Sequence, residues 1–148
     1  MVNAFFKTLA VTSAAFLVAS ALATGITGVW HGKLKVKLPP QPAGATAEQK
    51  KAVVDSVAKA QQINFLLTLK ADKTFSMVLS GGMFSKPQTA TGNWTQSGSK
   101  ITVTATKNNG VAAKSAKPQT LVVSKDGKSL AAQLPAPQAK QASLTFKR

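Results

Sequence analysis

The sequence predicts a mainly β protein. About eight antiparallel strands run up and down into a barrel, one α-helix is inserted between strands 1 and 2, and a signal-peptide helix precedes them. Three observations carry this. Apolar alternation with a period of two recurs from Trp30 to Phe146, broken by glycine, proline and Asp-Gly turn signals. One stretch, roughly 46–61, switches to helical spacing. Met1 to Ala23 reads as an address label.

That first stretch has a positive start in Lys7, then an uncharged apolar or small run from Leu9 to Leu22. Ala21-Leu22-Ala23 has the small-x-small form of a signal-peptidase site. The expected organisation is a signal peptide over 1–23 and one barrel domain over 24–148, with the product exported to the periplasm or beyond. The competing reading is an uncleaved anchor. A bilayer span needs about 20 apolar residues, and Thr24, Gly25, Thr27 and Gly28 spoil any extension of the run. The chain has no cysteine, so the signal is not of the lipoprotein kind, and disulfides and thiolate chemistry are excluded.

Each later element has its own signal. Trp30, Gly32, Leu34, Val36 and Leu38 alternate with His31, Lys33, Lys35 and Lys37, and Pro39, Pro40 and Pro42 stop that strand. Thr46 and Gln49 form a capping box for the helix, whose Val53, Val54, Val57 and Ala60 share one thin apolar face. Such a helix suits a lid better than an independent unit. Phe65, Leu67 and Leu69, a turn at Ala71-Asp72-Lys73, and Phe75, Met77 and Leu79 make a strand pair. Gly81-Gly82 ends it. A short strand follows over Gly92 to Gln96, then Ile101, Val103 and Ala105 up to Asn108-Asn109-Gly110. Gly110 to Gln119 reads as loop. Leu121 to Val123 and Leu130 to Leu134 flank the hairpin signal Lys125-Asp126-Gly127-Lys128. Pro135 to Gln141 is loop, and Leu144 and Phe146 close the chain.

At this point the order and spacing resemble a known family. Gly28-Val29-Trp30 resembles the Gly-x-Trp opening of lipocalins and related calycin-type barrels. Gly92-Asn93-Trp94 and the strand pair Phe65 to Phe75 are similar to hairpins of secreted bacterial lipocalin-like domains. The closing Leu144-Thr145-Phe146-Lys147-Arg148 resembles their apolar-aromatic last strand with a basic end. Lys73 stands where a turn glycine is expected, and a single helix after the first strand departs from the usual lipocalin order. The resemblance implies a non-enzymatic protein that binds a small apolar or amphipathic ligand inside the barrel, without a cofactor.

Composition sets the alternative. The chain carries 19 Lys and Arg against 4 Asp and Glu, a net charge of +15, and Arg148 is the sole arginine. A basic excess of this kind suits polyanionic partners. Base readout favours arginine, and single-strand binding needs exposed aromatics, so sequence-specific nucleic-acid recognition is not expected. The second reading is therefore a filled barrel scaffold whose Lys33, Lys35 and Lys37 face binds anionic envelope lipid or polymer. The bland reading of those lysines is a solvated strand face.

Catalytic chemistry finds little support. His31 is the lone histidine and shares a strand face with the lysines. Glu48 and Asp55 fall on the helix, and Asp72 and Asp126 in turns, so neither a relay nor a metal shell assembles from them. What remains is the inward face. The expected ligand contacts are Trp30, Leu34, Val36, Phe65, Leu67, Phe75, Met77, Trp94, Val103 and Phe146. Eight strands enclose either a packed core or room for one small ligand, and alternation alone leaves both open. A monomer is expected.

Overall fold

The computed structural model describes residues 25–148, so the expected signal peptide over 1–23 and its cleavage site lie outside the described residues. The elements run β1 (Gly28–Val36), α1 (Ala47–Gln61), β2 (Asn64–Leu69), β3 (Thr74–Gly81), β4 (Phe84–Ser97), β5 (Lys100–Asn108), β6 (Val111–Ala112), β7 (Gln119–Val123), β8 (Ser129–Ala132), α2 (Gln138–Gln141) and β9 (Ala142–Lys147).

Each strand pairs antiparallel with the next except β6, which pairs only with β5, while β5 pairs with β7 past it. β9 then pairs with β1, His31 opposite Lys147 and Val36 opposite Ala142. The sheet thus closes into a ring of eight strands, with β6 as a stub on β5 and one long helix between β1 and β2. Closure removes the unpaired edges of an open sheet.

The helix forms where the sequence places its start. Thr46 caps it reciprocally with Gln49: the Gln49 amide donates to Thr46 Oγ1 at 3.2 Å, and the Thr46 amide to Gln49 Oε1 at 2.9 Å. Lys51 and Asp55 approach to 3.9 Å across one turn. None of its residues is buried, so its place comes from the barrel.

Several boundaries differ from the sequence reading. β4 starts at Phe84, well before Gly92, and the pairing with β3 shifts between Leu79 and Gly81, where Pro87 is tolerated. α2 adds one helical turn within the expected loop Pro135 to Gln141. The Asp-Gly hairpin is not a two-residue primed turn. Only Gly127 has positive φ, and the loop is closed by Ser124 and Ser129 backbone pairing and by Asp126.

The buried core sits at one end of the barrel. The register places Trp30, Leu67, Leu69, Phe75, Trp94, Ile101, Val103, Leu121, Leu130 and Phe146 near the level where β1 begins, and Ile26 covers them from outside the ring. Trp30 Nε1 donates to Ile26 O at 2.9 Å and Trp94 Nε1 to Lys70 O at 3.0 Å. Both buried indoles are therefore satisfied, which burial of a tryptophan requires. Gly92 lies at the register shift in β4, where an added Cβ would fall 2.0 Å from Thr104 O. Only glycine permits that approach of two backbones.

Candidate functional site

Alternation sends ten predicted contact residues inward, but the register divides them by height. Trp30, Leu67, Phe75, Trp94, Val103 and Phe146 are buried together in the packed end. Leu34, Val36, Phe65 and Met77 keep partial solvent access: Leu34 and Val36 lie towards the opposite end, while Phe65 and Met77 pack against the margin of the core, Met77 opposite Leu67. The first group is core; the second forms its half-exposed margin and the inward face beyond it.

A layer of aromatic rings separates the two. Phe65 and Phe146 meet edge to face, centroids 6.4 Å apart and planes at 83°. Both flank Gly32 in the register, and an added Cβ on Gly32 would lie 2.6 Å from Phe146 Cε1 and 2.7 Å from Phe65 Cβ. The missing side chain of Gly32 is what lets the two rings converge and floor the upper half.

Above that floor, Leu34 stands opposite Leu144 and Val36 opposite Ala142. Leu144 belongs with the lining; the sequence marked it as strand without placing it at the site. The rim carries the helix. Gln61 Nε2 donates to Val36 O at 2.9 Å, the Lys59 carbonyl abuts Gly82 in the β3–β4 turn, and Ile63 is buried beneath. Val53, Val57 and Ala60 are half-buried, while Val54, which shares their stripe in the sequence reading, is 47% exposed. At the same end, an open groove of about 420 Å³ runs between the start of β7 and the end of β8. It is lined by Lys117, Pro118, Gln119, Thr120, Gln133, Leu134 and Pro135, none of them an expected ligand contact.

The polar candidates occupy the outside. His31, Lys33, Lys35 and Lys37 are exposed, and Lys33 Nζ donates to Asn64 Oδ1 at 2.9 Å. Asp72 accepts from the Thr74 hydroxyl at 2.6 Å and the Thr74 amide at 2.9 Å, and these bonds hold its carboxyl below the ordinary value. The Ser124 hydroxyl and then the Lys128 amide do the same for Asp126. Both acids are turn formers. Among the described residues no three His, Asp or Glu side chains gather to hold a metal ion.

Comparison with protein-family models, with curated proteins and with solved structures gave no match.

Proposed function

We propose that the protein is a non-enzymatic, lipocalin-like carrier that takes a small apolar or amphipathic ligand into the helix end of its barrel. One observation carries the reading: Leu34 and Val36 face inward beyond the Phe65–Phe146 pair and, like Phe65 and Met77 at the margin of the core, retain partial solvent access. Inward apolar surface that water still reaches is surface a ligand can bury, at about 25 cal/mol per Å². The calycin-type kinship rests on the ends of the chain. Gly28-Val29-Trp30 and the closing basic residue, which carry the resemblance in sequence, meet in space, with Arg148 lying over the Trp30 ring. In this reading the protein works as an exported monomer, cleaved after Ala23.

Titration with a fluorescent fatty acid or an anilinonaphthalene probe tests the proposal. Saturable binding is expected for the wild type. Leu34→Lys, which sets a charge one inward position beyond Gly32 and the aromatic pair, is expected to abolish it without unfolding the barrel. Val103→Ala, placed in the packed end, is expected to lower stability and leave probe affinity unchanged. Equal probe binding by Leu34→Lys and wild type would place the ligand elsewhere and end this reading.

A further inference from the structure

The outer wall of β1 and β9 carries a second arrangement that the cup does not use. Outward-facing positions of β1 and its continuation hold His31, Lys33, Lys35 and Lys37 in single file, all exposed. Successive outward positions on a strand repeat at about 7 Å. Lys147 stands opposite His31 at one end of the file. At the other, the Lys37 amide bonds to Gln141 O at 2.7 Å and brings up α2 with Lys140.

No acid lies on the strands that carry or flank this row. The four carboxylates are Glu48 and Asp55 on α1, Asp72 in the β2–β3 turn and Asp126 in the β7–β8 turn, so β2, β1, β9 and β8 hold none. Hydroxyl and amide groups flank the file instead: Thr145 opposite Lys33 and Ser143 opposite Lys35 on β9, and Asn64 opposite Lys33 on β2.

We infer that this wall binds a linear phosphodiester polymer of the cell envelope, laid along β1. A chain of phosphates joined through three-carbon units repeats at an interval close to that of alternate strand residues. Each phosphate can therefore meet one ammonium, with flanking hydroxyls donating to the remaining oxygens. The geometry favours this partner over two others. The barrel wall curves away on both sides of the row, so a flat bilayer meets it on a narrow front. None of the large apolar side chains exposed among the described residues is aromatic. The wall thus lacks both the aromatic anchors of a membrane interface and the stacking platforms that hold single-stranded nucleic acid.

The test uses the folded protein and poly(glycerol phosphate), with a single-stranded oligonucleotide of equal charge and vesicles containing phosphatidylglycerol as comparators. Wild type is expected to bind the polymer with steep salt dependence. Lys33→Gln/Lys35→Gln/Lys37→Gln should weaken binding tenfold or more and lower the salt slope by about two. Lys86→Gln/Lys107→Gln/Lys125→Gln removes the same charge elsewhere and should change affinity far less. Equal losses in the two triple variants would mean that net charge alone acts, and would overturn the assignment. So would polymer binding no tighter than that of the oligonucleotide or the vesicles. The cup is untouched by these variants, so probe binding and polymer binding succeed or fail separately.

Discussion

The guanidinium of Arg148 lies 4.5 Å from the centre of the Trp30 ring, the last residue of the chain stacked on an aromatic of the first strand. Its Nη2 also donates to the carbonyls of Gly25 and, at 3.0 Å, Thr27. One side chain thereby ties the segment before β1 to the end of β9 and screens the buried indole.

Removing that tie should loosen the packed end. Arg148→Ala is expected to lower unfolding free energy by about 1–2 kcal/mol, the sum of an exposed cation–π contact and its hydrogen bonds. Arg148→Lys should recover only part, because an ammonium cannot stack and bridge two carbonyls as a planar fork does. Urea unfolding followed by tryptophan fluorescence gives the comparison. An unchanged midpoint in Arg148→Ala would show that the tie contributes nothing.

Lys73 allows two opposing effects to be separated. It takes positive φ, +66°, and its Nζ lies 4.0 Å from the centre of the Trp94 ring. The left-handed backbone costs a non-glycine residue about 1–2 kcal/mol, and an exposed cation–π contact returns about 0.5–1 kcal/mol. Lys73→Ala keeps the strain and loses the contact, so it should be less stable than wild type. Lys73→Gly loses both and should lie about 1 kcal/mol above Lys73→Ala. If the two variants unfold together, the turn is not strained as described.

Gly32→Ala should be among the more damaging single-methyl additions. The new Cβ meets the Phe146 ring and the Phe65 Cβ at once and forces Phe146 off its rotamer or β2 away from β1, at about 1–3 kcal/mol. Combining it with Phe146→Leu, which removes the ring atoms it meets, should recover part of the loss. Strict additivity in a double-mutant cycle would contradict the shared contact.

Acid should destabilise the fold through Asp72 and Asp126. Hydroxyl and amide donors lower both carboxyls from the ordinary 3.8, so each binds its proton less readily folded than unfolded. Their contribution is complete above 3.8 and is lost as pH falls through the lower folded values. Asp72→Asn/Asp126→Asn keeps an acceptor in each turn and should flatten the acid limb of a stability–pH profile. An acid limb of unchanged steepness would assign the effect to other groups.

How much of this was legible beforehand follows from what a period-two pattern encodes. It reports which way a side chain points, so the ring, its inward residues and the helix after β1 could be read. It does not report height along the barrel, and height decides that Trp94 is buried while Leu34 and Val36 stay half-exposed. The first half of β4 was missed for a related reason. Ser85, Lys86, Pro87, Gln88 and Thr89 carry no apolar alternation, because they edge the end that the core does not fill. The contact of Arg148 with Trp30 joins residues from opposite ends of the chain and leaves no local trace.

The pairing of β9 with β1 also fixes the order in which the molecule can be made. The wall has no sub-barrel to complete early, since its last seam needs residues 142–147 beside residues 31–36. Until those residues emerge, β1 and the newest strand offer bare hydrogen-bonding edges. Cooperative closure therefore waits on residues 142–147, and a chain stopped short of β9 should aggregate rather than settle as a smaller cylinder.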